Sequence, residues 1–472
     1  MSSSLDRTSL PAGSGEGLGA LLTPQPAPRG RRALAERFAS LGSEAETFLP
    51  HVVAWNLTKR CNLACAHCYI SAGSWHAAAG ELSTDECHRV LDELLEVNPS
   101  LMLILSGGEP LLREDLEEVA EHAAERGATV VVGTNGTRLT SARIGSLKAA
   151  GVTGVAVSVD SLDPEYHDRF RHGTGALADT LAAVDRLVEH ELDFVIQTSL
   201  TRGNRRELVR LAAWAADRGA VSFNVYFLVP TGRAKQMEGL SAAENEDVLR
   251  ELMTLEADHR GRMMVRSKCQ PQLMRHVALG DPDSPLLNYA TRCPCGLQYC
   301  RITPEGKVTP CPYTPVVAGD LRESSFREIW DGSPVFRSLR TGTLGGKCGR
   351  CEFREVCGGC RARAHAQTGD LLGPDESCAY DPPDGRPVVR PRPAVTYGAK
   401  AVLTLRWSAE AEARINRIPS FVRGVVVNRV EEFARQKGYE TVDLDLMAEV
   451  RRRMPGDFSR RLPFFLRNGG KG

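Results

Sequence analysis

The stretch Cys61-Asn-Leu-Ala-Cys65-Ala-His-Cys68-Tyr69 decides how the rest of the chain is read. A C-x3-C-x2-C run offers three thiolates, whereas an iron–sulfur cubane is ordinarily closed by four cysteines. On such a cluster one iron is left for a small molecule. Just upstream, His51-Val-Val-Ala-Trp-Asn-Leu-Thr58 has the apolar run of a buried strand, so the triplet falls on the loop that follows it. Two plainer readings stand beside this one, a structural zinc loop and three unrelated thiols. Zinc loops are usually built from paired C-x2-C units with a fourth ligand nearby, and none lies close to this triplet.

Outward from the triplet, apolar strand-like runs alternate with helical patterns from 51 to about 230. The strand candidates are 51–58, 101–105, 129–134, 154–159, 194–200 and 222–229, and one intervening helix opens on the capping-box pattern Ser83-Thr84-Asp85-Glu86. Six β–α units in series predict an α/β fold in which a parallel sheet curves into an open, partial (β/α)6 barrel over residues 47–265. By analogy with closed barrels, chemistry belongs at the C-terminal ends of the strands. The triplet falls there, as do Gly107-Gly108-Glu109-Pro110, Thr134-Asn135-Gly136 and Ser158-Val159-Asp160.

The flanking regions differ in character. Residues 1–46 are rich in Ser, Gly, Pro, Ala and Arg without an apolar period, which predicts a disordered arm. Residues 266–380 are dense in Cys and Gly from about 290 on, as expected of a domain stapled by metal. Asp381-Pro-Pro-Asp-Gly-Arg-Pro opens a linker over 381–399 that continues through Pro391 and Pro393. Residues 400–460 read as a small helical module and 461–472 as a tail. In the module Val422, Val425, Val426, Val430 and Phe433 form an apolar stripe, and Thr441 is the expected cap of a helix carrying Val442, Met447 and Val450.

Composition narrows the function classes. The chain has 472 residues, 42% hydrophobic and 25% charged, with Lys+Arg and Asp+Glu both at 59. A formal charge of zero points to neither nucleic acid nor an acidic membrane surface. No apolar stretch approaches the length of a membrane span, and the N-terminus carries no hydrophobic signal core, so the expected location is the cytoplasm. Of the 14 cysteines, nine lie between Cys293 and Cys378, which without an export signal reads as metal ligation rather than disulfides. Cys87 is expected to be a buried small apolar residue. Cys269 precedes Pro271 in a segment without a readable period, and a ligand role is open to it.

The four motifs in order on successive strand ends resemble the radical SAM superfamily. The resemblance implies that Cys61, Cys65 and Cys68 hold a [4Fe–4S] cluster whose open iron is chelated by S-adenosylmethionine. It implies that a low-potential donor of ferredoxin or flavodoxin type supplies an electron, giving methionine and a 5′-deoxyadenosyl radical that abstracts a substrate hydrogen. Gly107, Gly108, Glu109 and Pro110 would face the methionine amino group. Thr134, Asn135, Gly136, Ser158 and Asp160 would be ribose- and carboxylate-contacting positions. His67 and Tyr69 would shield the cluster or hydrogen-bond near its sulfurs or the adenine.

The later cysteines resemble the SPASM extension of radical SAM enzymes, which binds one or two auxiliary [4Fe–4S] clusters. Carried over by position, Cys348, Cys351, Cys357 and Cys378 would hold one cluster. Cys300, Cys311, Cys360 and either Cys293 or Cys295 would hold the other, with Gly296 favouring Cys293. A zinc ribbon is the other reading of the C-x2-C spacing.

Gly345-Gly-Lys-Cys-Gly-Arg-Cys351, Cys357-Gly-Gly-Cys360-Arg-Ala-Arg-Ala-His365 and Leu228-Val-Pro-Thr-Gly-Arg-Ala234 resemble enzymes of the alternative heme and heme d1 pathways, which remodel carboxylate side chains of iron tetrapyrroles. Trp407-Ser-Ala-Glu-Ala-Glu-Ala-Arg-Ile-Asn-Arg-Ile-Pro419 resembles the C-terminal domain of the B subunit of light-independent protochlorophyllide reductase, which sits near a bound tetrapyrrole in that family. A packing or docking module is the other reading of this segment. Together these imply an enzyme that decarboxylates or removes acetate or propionate arms of an iron tetrapyrrole. Arg169, Arg171, Arg233, Arg361 and Arg363 are candidate partners for those carboxylates. The alternatives are a SPASM-type maturase of a peptide or partner metalloenzyme, and an electron carrier without radical chemistry. A carrier has no need of the GGEP and TNG motifs.

Overall fold

Seven runs become parallel strands, the first six of them apolar: β1 (Val52–Thr58), β2 (Met102–Gly107), β3 (Thr129–Thr134), β4 (Val152–Ser158), β5 (Asp193–Leu200), β6 (Ser222–Phe227) and β7 (Met264–Lys268). The structure, a computed structural model, describes residues 48–281, 284, 292–390, 403–416, 418 and 420–452. The expected arm at 1–46, Pro391 and Pro393 of the linker, and the 461–472 tail lie outside these. The six expected strands are present. β7 adds a seventh, pairing parallel with β6 from Ser222↔Met264 to Tyr226↔Lys268.

On the other side of β1 the same sheet continues through β8 (Tyr299–Ile302), β9 (Lys307–Thr309) and β10 (Gly319–Asp320), giving the order β10-β9-β8-β1-β2-β3-β4-β5-β6-β7. β8 is parallel to β1, with Val52 opposite Tyr299, and then turns back antiparallel into β9. The auxiliary domain therefore extends the barrel sheet from its leading edge. Helices cover the outer face. The first of these, Thr84–Val97, has the expected capping box between Ser83 and Glu86 and buries Cys87, Val90, Leu91, Leu94 and Leu95 against the strands. Alternation along each strand sends successive side chains to opposite faces, so the barrel interior has two storeys. Met102, Val131, Ala156 and Val195 fill the lower one, while Ser106, Gly133, Ser158 and Gln197 line the upper.

The C-terminal module packs against that lower storey. Trp407, Ala411, Ile415, Val427, Val430 and Val442 join Met102, Val131, Ala156, Val195 and Val221 in one apolar cluster. Polar contacts fix the docking: Ser420 Oγ lies 2.6 Å from His51 Nδ1, and Arg423 donates to Ser100 Oγ at 2.9 Å. None of the module's described residues lines the upper cavity. Its observed position is that of a packing module at the N-terminal ends of the strands.

Two details of its sequence reading change. Asp443, not Thr441, caps the last helix (Leu444–Arg452), because its carboxylate accepts from Leu446 N at 2.8 Å while Thr441–Val442 pairs with Arg406–Trp407. In the helix Ser420–Lys437 the fully covered side chains are Val427, Val430 and Ala434, with Val426 and Phe433 at their margin. The side chains of Val422 and Val425 lie outside the described residues.

Candidate functional site

The triplet sits on the loop after β1, and the chain clamps that loop from two sides. From β2, Gly108 N donates to Thr58 O at 2.7 Å and Glu109 N to Arg60 O at 2.9 Å. A Cβ on Gly108 would lie 2.1 Å from the Arg60 carbonyl oxygen. The paired glycines thus answer to the close approach of two backbones. From beyond β6, Arg233 donates Nε to Cys65 O and Nη1 to Ala72 O, both at 2.7 Å, and its own N–H to Cys68 O at 3.0 Å.

Donors surround the three sulfurs. Leu63 N is 3.4 Å from Cys61 Sγ and Ala72 N 3.2 Å from Cys68 Sγ. Asn135 Nδ2 approaches Cys61 Sγ at 3.9 Å, and Arg171 Nη1 approaches Cys65 Sγ at 4.0 Å. Burial pushes the Cys61 thiol up to about 12 and raises Cys65 against the pull of Arg171. Thiolates at these positions therefore call for a cationic partner such as iron. With three thiols sharing one cavity and N–H groups aimed at the sulfurs, the residues fit a three-ligand iron–sulfur cluster.

The two carboxylates of the motifs stand one layer behind the cavity wall. Glu109 is fully buried and accepts from Thr134 Oγ1 (2.8 Å), Asn135 N (2.9 Å) and Leu111 N (3.1 Å), so it ties the β3 loop to the β2 turn. Burial raises its pKa despite those donors. Asp160 is likewise fully buried, accepts from Ser199 N at 2.7 Å, and holds Arg171 through Nε and Nη2 at 2.7 and 2.6 Å. Pro110 begins a buried turn and Gly136 takes φ +86° beneath Thr134. Thr134, Asn135 and Ser158 do line the cavity, with Gly107 and Gly108.

That cavity, of about 490 Å³, runs from the triplet to a second group of thiols. Tyr69, Tyr226, Tyr299 and Tyr313 form part of its wall, with the Tyr69 and Tyr313 rings 5.1 Å apart and those of Tyr226 and Tyr313 6.5 Å apart. Asn56 Nδ2 fixes Tyr69 by donating to its hydroxyl at 2.8 Å. His67 stacks on Phe170 at 4.5 Å, and burial pulls its imidazole down to about 4. Arg171, Arg233, Arg266, Lys268 and Arg292 are the basic residues of the lining.

The second thiol group departs from the carried-over assignment. Cys293, Cys295, Cys311 and Cys360 cluster with Cys269. Cys295 is within hydrogen-bond reach of Cys293 and Cys311, and Cys360 within reach of Cys293 and Cys269. Contact with the Cys295 thiol lowers both Cys293 and Cys311 from the ordinary thiol range. Cys300 is not among them. On β8 opposite Val53 it points into the main hydrophobic core, fully buried. Cys269, at φ +60°, joins the group from the residue that follows β7. No spacing motif marks it, and the short strand just before it has no apolar period.

Cys348, Cys351, Cys357 and Cys378 gather round a separate small pocket. Backbone N–H groups of Asp375, Phe353 and Gly359 donate to the first three sulfurs, each at 3.4 Å. Among the described residues no three His, Cys, Asp or Glu side chains converge as a single metal ion requires.

Of the arginine candidates, Arg171 and Arg233 reach the cavity. Arg169 is exposed and pairs with Glu165. Arg361 donates to the Leu371 and Gly373 carbonyls, and Arg363 to Gln270, Ser377 and Asp375, so both brace the auxiliary domain.

Residues 55–215 match the Radical SAM superfamily, 293–361 the SPASM iron–sulfur cluster-binding domain and 407–451 the proto-chlorophyllide reductase 57 kD subunit family. The AdoMet-dependent heme synthase of Methanosarcina barkeri is 40% identical over 72% of this chain and 99% of its own length. That of Nitratidesulfovibrio vulgaris is 36% identical over 70% and 92%. Among solved structures, Streptococcus suis SuiB bound to S-adenosylmethionine shares the fold with a TM-score of 0.59 at 14% identity, over 74% of this chain and 81% of that one. The chain therefore belongs to the radical SAM superfamily, among the members that carry a SPASM iron–sulfur domain.

Proposed function

We propose that this enzyme decarboxylates carboxylate arms of an iron tetrapyrrole in a heme-type synthesis. The observation that carries the reading is a single cavity of about 490 Å³ joining the three-cysteine loop to the five-thiol group, walled by tyrosines and edged by cations. Kinship with heme synthases supports it. Bound at the triplet, a [4Fe–4S] cluster and S-adenosylmethionine supply reductive cleavage to a 5′-deoxyadenosyl radical. On a propionate arm, hydrogen abstraction at the carbon β to the carboxylate, then loss of carbon dioxide and one electron, leaves a vinyl group.

The chain's own residues set the conditions for this chemistry. Arg233 and Gly108 fix the triplet loop, Asp160 orients Arg171 at Cys65, and Glu109 holds Thr134 and Asn135 at the wall. The released electron needs an acceptor, and the opposite end of the cavity is where thiols are densest. Four of Cys269, Cys293, Cys295, Cys311 and Cys360 would hold one auxiliary cluster there, and Cys348, Cys351, Cys357 and Cys378 a second. The first electron comes from a ferredoxin- or flavodoxin-type donor. All the cysteines are free, which suits the reducing cytoplasm. Among the described residues no helix is long and apolar enough to cross a membrane.

The test is anaerobic: clusters are reconstituted, S-adenosylmethionine and reductant are added, and iron coproporphyrin, siroheme-derived substrates and a control peptide are offered. Mass spectrometry should show loss of carboxyl groups from a tetrapyrrole only. An unchanged tetrapyrrole beside a modified peptide overturns the assignment.

A further inference from the structure

The cavity has a cationic edge on β7. On β7 the alternation that sends Met264 into the lower apolar storey carries Arg266 and Lys268 up the same inner face. Lys268 stands opposite Tyr226 in the sheet register and immediately before Cys269. The other basic groups of known geometry in this wall are already engaged: Arg171 by the Asp160 carboxylate, Arg233 by the carbonyls of Cys65 and Ala72. Lys268 is different. It forms no hydrogen bond or ion pair with any described residue, and the charged groups acting on it are the like charge of Arg266 and the Cys269 thiol. A half-enclosed ammonium without a carboxylate is costly, and an anion placed in the cavity would relieve it.

We propose that Lys268, with Arg266 beside it, is a carboxylate-binding subsite that anchors a spectator acid arm of the substrate at the β7 edge while another arm reaches the Cys61–Cys68 loop. This rests on the tetrapyrrole reading and adds to it the residue that recognises the substrate's charge. The geometry suits a planar, multiply acidic molecule. Tyr226, opposite Lys268 in the sheet register, and Tyr313, whose ring lies 6.5 Å from that of Tyr226, line the same cavity, so an apolar ring body and a carboxylate can be received together.

The experiment titrates the reconstituted full-length protein with iron coproporphyrin and with its tetramethyl ester, following the Soret band. Lys268→Met should weaken binding of the tetra-acid about 10- to 100-fold, the range for a charge-assisted hydrogen bond, and should leave tetraester binding unchanged. Lys268→Arg should stay within about 3-fold of the parent for the tetra-acid, since a guanidinium also meets a carboxylate. Equal binding of the tetra-acid by parent and Lys268→Met, or an equal loss for acid and ester, overturns the subsite while leaving the tetrapyrrole reading in place. Failure of the parent to bind either porphyrin overturns both.

Discussion

Cys300 and Cys269 exchange places between motif and molecule. Cys300 lies in a row of cysteines, but β8 turns it into the core. Cys269 stands alone in the sequence, yet the end of β7 brings it to four other thiols. Cys300→Ala should keep the full iron and acid-labile sulfide content of the parent after reconstitution, at a stability cost of about 1 kcal/mol for a small buried apolar side chain. Loss of about four irons per chain would return Cys300 to the ligand set. The Asp160–Arg171 pair has a similarly sharp consequence. Asp160→Asn leaves a guanidinium that is 5% exposed without its counter-charge, so denaturant unfolding should show a loss of about 3–5 kcal/mol. Adding Arg171→Met should recover much of it. An additive double variant would mean the pair is not coupled.

At the scale of elements, the β1 loop and the β2 turn are built as one unit. Gly108 is required by the Arg60 carbonyl, so Gly108→Ala must push the triplet loop away from β2. The expected outcome is a destabilisation of about 1–3 kcal/mol from overpacking together with reduced iron loading, read by metal analysis. Full iron content in a variant of parental stability would show the loop to be compliant. These elements were largely legible in the chain, because six apolar runs separated by helical periods leave few other folds. β7 was not. Five residues, Met-Val-Arg-Ser-Lys, carry too little apolar character to stand out, and only pairing with β6 makes them a strand. Lys268 carries no signal in the sequence for that reason, and Cys269 none beyond being a cysteine open to a ligand role.

For the whole molecule, the C-terminal module seals the lower storey of the barrel. His51 sits at that seam, 2% exposed, and burial together with nearby Arg423 lowers its pKa from 6.5 to about 4. The unfolded chain then binds a proton that the folded one refuses between these values. Stability contributed by neutral His51 is complete above pH 6.5 and is lost as pH falls toward 4. By pH 5 the loss should be on the order of 2 kcal/mol. Comparing denaturant unfolding at pH 7 and pH 5 in the parent and in His51→Gln checks it, since the variant should lose that part of the pH slope. An unchanged slope would remove His51 as its source.

Read alone, the chain determined its superfamily, its open barrel and its three-cysteine loop. Each of these depends on short-range spacing or on a period that repeats along the backbone. Tertiary structure decided which thiols meet, where the motif carboxylates point, and that the C-terminal module lies under the barrel rather than at its mouth. Those outcomes depend on strand register and on which distant segments pack together, and such long-range pairings leave no mark on the residues nearest to them in sequence.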